Sequence, residues 1–173
     1  MNNIELSVVI PVYNSDKNLS NLIDQLILTL NKDYKNFEII LIDDESEDKS
    51  WNIIKDFCSK YSFVQGVQLR KNVGQHNAIF AGLKYADGDF IITMDDDGQN
   101  SSEDIKLLVD KVKGGFDAAY ANYKIKKHSI FRRFGSFVNN LIASFLFNKP
   151  FNLVLTSFRC FSSDIKEDLL KNK

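Results

Sequence analysis

Phe90-Ile91-Ile92-Thr93-Met94-Asp95-Asp96-Asp97-Gly98 decides the fold. A short β-branched and apolar run of this kind reads as a strand buried on both faces. It ends abruptly in three consecutive aspartates and a glycine, so the buried strand opens onto a polar turn. Two stretches upstream have the same form. Leu6–Val12 leads into Tyr13-Asn14-Ser15, and the run 37–42 leads into Asp43-Asp44-Glu45-Ser46. Between them Leu19, Leu22, Ile23, Leu26, Ile27 and Leu30 recur at helical spacing. Trp51, Ile54, Phe57 and Tyr61 mark a second helix; a third is predicted over 75–85, after Gly74, and a fourth over 103–113, before Gly114-Gly115. Strand and helix in alternation imply crossover connections, hence an α/β domain with a mostly parallel central sheet covered by helices on both faces. Such sheets bind ligands beyond the carboxyl ends of their strands, where the polar turns lie.

The chain's 173 residues suit one domain, and 44% hydrophobic with 26% charged residues is a globular composition. Lys and Arg number 22 against 23 Asp and Glu, a net charge of −1, which argues against nucleic acid as the main partner. Cys58 and Cys160 fit no metal-binding spacing and are expected to be free thiols in a reducing compartment. The N-terminus has no basic segment ahead of its apolar run, and nowhere do 18 apolar residues follow one another. A cytoplasmic chain without a signal peptide or membrane-spanning helix is therefore expected.

Beyond residue 123 the texture changes. Lys124, Lys126, Lys127, His128, Arg132 and Arg133 crowd together, and a helical pattern over 131–147 carries Phe131, Phe134, Val138, Leu141, Ile142 and Phe145 on one face. A basic flank beside a phenylalanine-rich face suits a membrane surface; a core helix packed on the sheet would show the same face. A further strand is predicted over 156–161, followed by a polar, Lys-rich tail.

Asp95 and Asp97, two apart at a strand end, can reach one hard cation, and Mg²⁺ or Mn²⁺ suits such oxygen ligands. The alternative is an acidic turn in which Ser101, Ser102 and Glu103 cap the next helix. Asp43 and Asp44 are placed to accept hydrogen bonds from a base or ribose, but Asp44 with Ser46 can equally cap the helix carrying Trp51. Asn72-Val73-Gly74-Gln75 can bring backbone close to a phosphate, or serve as a plain turn. Neither GxGxxG nor a Walker motif occurs, and no strand end offers the DxDx[TV] pattern of a phosphatase nucleophile. His76 and His128 read as structural or surface residues.

Taken in order, Ser7-Val8-Val9-Ile10-Pro11-Val12-Tyr13-Asn14, Ile42-Asp43-Asp44-Glu45-Ser46 with Asp48, Asn72-Val73-Gly74-Gln75 with Ala78, and Gly88-Asp89 leading to Met94-Asp95-Asp96-Asp97-Gly98-Gln99 resemble the family 2 glycosyltransferases of GT-A fold. The likeness covers about residues 5–115. It is strongest to polyprenyl-phosphate (dolichol- or undecaprenyl-phosphate) sugar transferases, to whose DADLQ-type motif Asp95–Asn100 is similar. The stretch 124–147 and Ser157-Phe158-Arg159 are similar to their membrane-proximal and phosphate-binding segments. Ser15 stands where a glutamate usually follows Tyr-Asn, Leu153 where an acid is usual, and Ser157 where the last segment usually has glycine.

The resemblance implies an inverting, metal-dependent transfer of a sugar from a nucleotide-diphosphate donor, with Mg²⁺ or Mn²⁺ as cofactor. The acceptor it implies is a polyprenyl phosphate at the inner face of the membrane, in cell-envelope glycan synthesis. Pro11, Tyr13, Asn14, Asp43, Asp44, Asn72, Gly74 and Asp96 would contact the nucleotide sugar. Asp95, Asp97 and Gln99 would hold the metal, Asp95, Asp97 and Arg159 would carry catalysis, and Arg132, Arg133 and Arg159 would hold the acceptor phosphate. Residues 1–122 would form the nucleotide-sugar-binding core and 123–173 the acceptor and membrane-proximal part of the same domain, truncated at its C-terminus. A transferase acting on a saccharide or protein hydroxyl, or a non-catalytic nucleotide-sugar-binding module, are the alternative readings.

Overall fold

A computed structural model describes residues 4–121 and 156–171. In chain order the elements are β1 (Leu6–Val12), α1 (Leu19–Asp33), β2 (Phe37–Asp43), α2 (Ser50–Lys60), β3 (Val64–Gln68), α3 (Gln75–Leu83), β4 (Phe90–Thr93), α4 (Asp104–Lys113), β5 (Ala118–Tyr120), β6 (Arg159–Ser162) and α5 (Ser163–Lys171). Six strands form one sheet in the order β3-β2-β1-β4-β6-β5. β1 pairs in parallel with β2 and β4, and β2 with β3, whereas β6 runs antiparallel to β4.

The apolar runs occupy the middle of this sheet because burial on both faces favours unbroken β-branched sequence. Every residue of β1 and of β2 is buried. The helical stripe of α1 is buried as its spacing predicts. α3 approaches β1 and β2 closely: a Cβ at Gly82 would meet side-chain carbons of Val9 at 2.5 Å and Ile42 at 2.9 Å. That approach fixes where α3 begins, and with it Gly74 and Gln75 at the carboxyl edge of the sheet.

Three elements were not expected. β3 is an edge strand whose Gln65 and Gln68 are exposed and whose alternation is broken by Gly66, so no apolar run marks it. β5 is only three residues long. The polar tail is instead the helix α5, in which Ile165 and Leu170 pack against the sheet core. The strand predicted over 156–161 is β6. Neither Lys49 before α2 nor Glu103 before α4 makes a side-chain cap bond, and Ser102 pairs its hydroxyl with that of Thr29 at 2.8 Å. Asp48 accepts the Ser50 N–H at 2.9 Å, leaving Asp44 and Ser46 to other partners.

The chain divides into two compact units. One comprises 1–119 and 157–173, the other 120–156. The phenylalanine-rich segment over 131–147, with Arg132, Arg133, His128 and Leu153, lies outside the described residues. Among the described residues no helix is long and apolar enough to cross a membrane.

Both thiols are free. Cys160 on β6 is fully buried, and burial pushes its thiol up to about 12. Cys58 is half-buried and raised for the same reason. Titration with a disulfide reagent near pH 8 is expected to modify at most one thiol in the native chain, slowly, and both after unfolding, because only the thiolate reacts. Rapid labelling of two thiols in the native chain would contradict the packing of β6.

Candidate active site

Four chain segments meet at the carboxyl edge of the sheet, and hydrogen bonds tie each to the next. After β1 the chain turns through Tyr13 and Asn14, with Asn14 in the left-handed region at φ 51°, a conformation asparagine tolerates. The Asn14 N–H donates to Ser46 Oγ at 3.0 Å, and Asn14 Oδ1 accepts the Glu47 N–H at 2.8 Å. Ser15 N donates to Ser50 Oγ at 2.9 Å and Asp16 N to Asp48 at 2.9 Å, so the turns after β1 and β2 form one ledge.

Glu45 is also left-handed, at φ 64°. A glutamate in this region is strained and persists only where its surroundings fix it. Here its carboxylate accepts the Asn72 N–H at 2.8 Å. Asp44, almost fully buried, accepts the Val73 and Gly74 N–H groups at 2.8 Å each, with Gly74 itself at φ 84°. Asp44 therefore shapes the 72–74 loop as well as facing the cavity. Asp43 is fully buried; one oxygen accepts from Gln68 Nε2 at 3.0 Å, while Oδ1 has no partner among the described residues.

The three aspartates after β4 point to different partners. Asp95 takes one hydrogen bond from Gln75 Nε2 and another from Ser157 Oγ. Asp96 accepts the Tyr13 N–H at 3.0 Å and the Ser15 hydroxyl. Burial pushes the Asp96 carboxyl above its usual range, and the Ser15 and Tyr13 hydrogen bonds oppose that rise. Asp97 is exposed and accepts the Gln99 N–H at 2.9 Å.

A cavity of about 510 Å³ results, within the usual range for small-molecule sites. Its walls are Pro11 and Val12 ending β1 with Tyr13 just after, Asp44 just after β2, Asn72 and Gly74 ahead of α3 with Gln75 opening it, and Asp95, Asp96 and Asp97 beyond β4. Tyr13, 49% exposed, presents an aromatic surface at its mouth, suited to stacking. Among the described residues the wall carries four carboxylates and no lysine or arginine, a charge balance that favours a bound cation before an anion. Asp95 and Asp97 supply hard oxygen donors of the kind Mg²⁺ or Mn²⁺ takes. Among the described residues no three His, Cys, Asp or Glu side chains are grouped to hold a metal. An ion on this pair would complete its shell with water and ligand oxygens, as Mg²⁺ commonly does.

Of the expected residues, Pro11, Tyr13, Asp44, Asn72, Gly74, Asp95, Asp96 and Asp97 come together in this cavity, while Asn14 and Asp43 are not among its wall residues. Gln99 lines a separate depression between α1 and the 98–103 loop. Arg159 opens β6 opposite Thr93 on β4, outside the cavity wall, and its Nε is buried without a partner among the described residues. Val12 and Gln75 are additional wall residues, and Ser15 and Ser157 are additional partners of the aspartates. Gln75 stands within the motif that suggested the loop. The serine hydroxyls, far from the aspartates in sequence, carry no local signal.

Residues 7–164 match the family model described as Glycosyl transferase family 2. The undecaprenyl-phosphate 4-deoxy-4-formamido-L-arabinose transferase of Shewanella sediminis is 40% identical over 139 residues, 79% of this chain and 42% of that protein. The enzyme of that name from Klebsiella pneumoniae is 41% identical over 143 residues, 80% of this chain and 43% of the other. The chain thus spans less than half the length of these curated relatives. Among solved structures, the Mycobacterium tuberculosis glucosyl-3-phosphoglycerate synthase with Mn²⁺, UDP-glucose and phosphoglyceric acid superposes at TM-score 0.73 and 18% identity, over 94% of this chain and 57% of that one. A Pyrobaculum calidifontis mannosyltransferase with GDP-mannose and Mn²⁺ gives 0.67 at 15% identity, over 95% and 46%. At these identities the likeness is one of fold, the GT-A arrangement expected from the strand-end motifs.

Proposed function

Since the chain belongs to glycosyl transferase family 2, we propose that it carries the nucleotide-sugar site of an inverting, metal-dependent transferase whose acceptor is a polyprenyl phosphate. The observation that carries this reading is the cavity in which Tyr13, Asp44, Gly74, Asp95 and Asp97 converge from separate strand ends. The 40% identity to undecaprenyl-phosphate sugar transferases supports the acceptor class.

Each wall has a task in this reaction. Tyr13 stacks against the base, Pro11 and Val12 form the floor beneath it, and Asp44 holds the 72–74 backbone against the nucleoside. Asp95 and Asp97 would hold Mg²⁺ or Mn²⁺, which when bound would supply positive charge beside the departing diphosphate. Among the described residues the wall offers carboxylates but no histidine to act as base. A phosphate acceptor is already anionic near neutral pH and does not require one, which favours a lipid phosphate over a sugar hydroxyl. Arg159, at the same edge of the sheet, is the described guanidinium suited to that phosphate, with Arg132 and Arg133 as its proposed companions. This acceptor places the chain at the cytoplasmic surface of a membrane, with residues 123–173 contributing the acceptor side.

Thermal melting against UDP, GDP, CDP and dTDP, each with and without Mn²⁺, tests the donor half. Ligand at a hundred times its dissociation constant adds about 2.7 kcal/mol, which raises the midpoint of a domain of this size by roughly 5–11 °C. A shift of that order is expected with one nucleotide, and only when Mn²⁺ is present. Absence of any shift would overturn the reading. Transfer to a short-chain polyprenyl phosphate tests the acceptor; labelling of a free saccharide instead would replace it.

A further inference from the structure

We infer that Ser157 and Gln75 are positioning residues that fix the Asp95 carboxylate for a divalent cation, an inference that rests on the metal-dependent reading above. The two donors reach Asp95 from different parts of the fold and land on different oxygens. Gln75 Nε2 donates to Oδ1 and Ser157 Oγ to Oδ2. A carboxylate has about four lone-pair sites, so one donor on each oxygen sets its plane while leaving each oxygen able to bind an ion.

Both donors are uncharged, which matters to what Asp95 can do. A lysine or arginine there would neutralise the carboxylate and compete with a cation, whereas an amide and a hydroxyl orient it and leave its charge available. Both are also held from behind. Ser157 has its carbonyl bound by the Thr93 hydroxyl at 2.6 Å, and Thr93, fully buried on β4, is in register with Arg159 on β6. Gln75 is the first residue of α3, directly after Gly74, whose N–H is clamped by Asp44. Thus β4, β6 and α3 jointly determine where one carboxylate faces. Gln75 is exposed and Asp95 partly so, which makes a hydrogen bond between them a weak contributor to folding. Its evident effect is on orientation.

Partners that orient a metal ligand typically cost 10–100-fold in metal affinity when removed. Mn²⁺ binding to the whole chain, followed by the loss of the free-ion electron paramagnetic resonance signal, reads this without turnover. The titration is run with Mn²⁺ alone and with Mn²⁺ plus UDP, GDP, CDP or dTDP. Ser157→Ala and Gln75→Ala are each expected to raise the half-saturating Mn²⁺ concentration at least about tenfold. Ser157→Thr, which keeps the hydroxyl, should restore it, and metal-free melting should stay close to that of the parent chain. Unchanged Mn²⁺ binding in both alanine variants, with normal binding in the parent, would overturn the positioning roles and leave the proposed function standing. A fall in metal-free melting that threonine does not repair would mark Ser157 as structural and equally overturn its role. Failure of the parent chain to take up Mn²⁺ under any of these conditions would remove the metal-dependent reading, and this inference with it.

Discussion

Replacing Asp97 by asparagine is expected to lower sugar transfer at least about a thousandfold, close to 4 kcal/mol of transition-state stabilisation. The fold should be unaffected. Asp97 is exposed, and its recorded contact is the Gln99 N–H at 2.9 Å, which an asparagine carbonyl accepts equally well. Surface changes of this kind move stability by at most about 0.5 kcal/mol. The two readouts therefore separate: melting of the free chain stays put, while the Mn²⁺-dependent nucleotide shift and turnover disappear together. Retained turnover in Asp97→Asn would remove this residue from the proposed metal site and, with it, the proposed pairing of Asp95 and Asp97.

The second large effect lies at the opposite end of the sheet. Gly88 precedes β4, at the amino edge of the parallel strands, and its N–H donates to the Ser7 hydroxyl at 2.8 Å. A Cβ there would stand 2.6 Å from the Ser7 backbone nitrogen and 2.9 Å from the Leu6 carbonyl carbon. Backbone atoms of a central strand have little room to move, so Gly88→Ala is expected to cost about 3 kcal/mol, or roughly 6–12 °C in melting temperature. The shift also disturbs a buried acid. Glu38, 2% exposed, is held by Ser7 Oγ at 2.6 Å, the Asp87 N–H at 2.7 Å and Gln65 Nε2 at 2.9 Å. Displacing Ser7 leaves that carboxylate under-satisfied, a costly state for a buried charge. Because the candidate site sits at the other end of the strands, nucleotide binding by Gly88→Ala below its melting range should match the parent chain. A melting temperature within a degree or two of the parent would contradict the close packing of Gly88 on β1.

The two substitutions also divide what could be read in advance from what could not. Asp97 was legible because a buried strand ending in carboxylates is a local pattern, visible within nine residues of sequence. The fully buried runs of β1 and β2, the mostly buried run of β4 and the stripe of α1 were legible for the same reason. Asn72-Val73-Gly74-Gln75 showed a loop able to approach a ligand, but not that Asp44 would hold its backbone. β3 was missed because an edge strand with two exposed glutamines has no apolar signature. α5 was missed because its stretch reads as polar, and Ile165 and Leu170 matter only once α3 and the sheet lie beneath them.

By itself the sequence determined the α/β class, the family, and the edge of the sheet where the candidate site lies, since periodicity and strand-end motifs are properties of neighbouring residues. Only the tertiary structure decided how each aspartate of the Asp95-Asp96-Asp97 run is used. Adjacent side chains at the end of a strand face different ways, and a carboxylate takes its role from whatever the rest of the fold brings against it. For Asp96 that is the turn after β1, for Asp95 a serine ahead of β6 and a glutamine opening α3, and for Asp97 solvent and the Gln99 N–H.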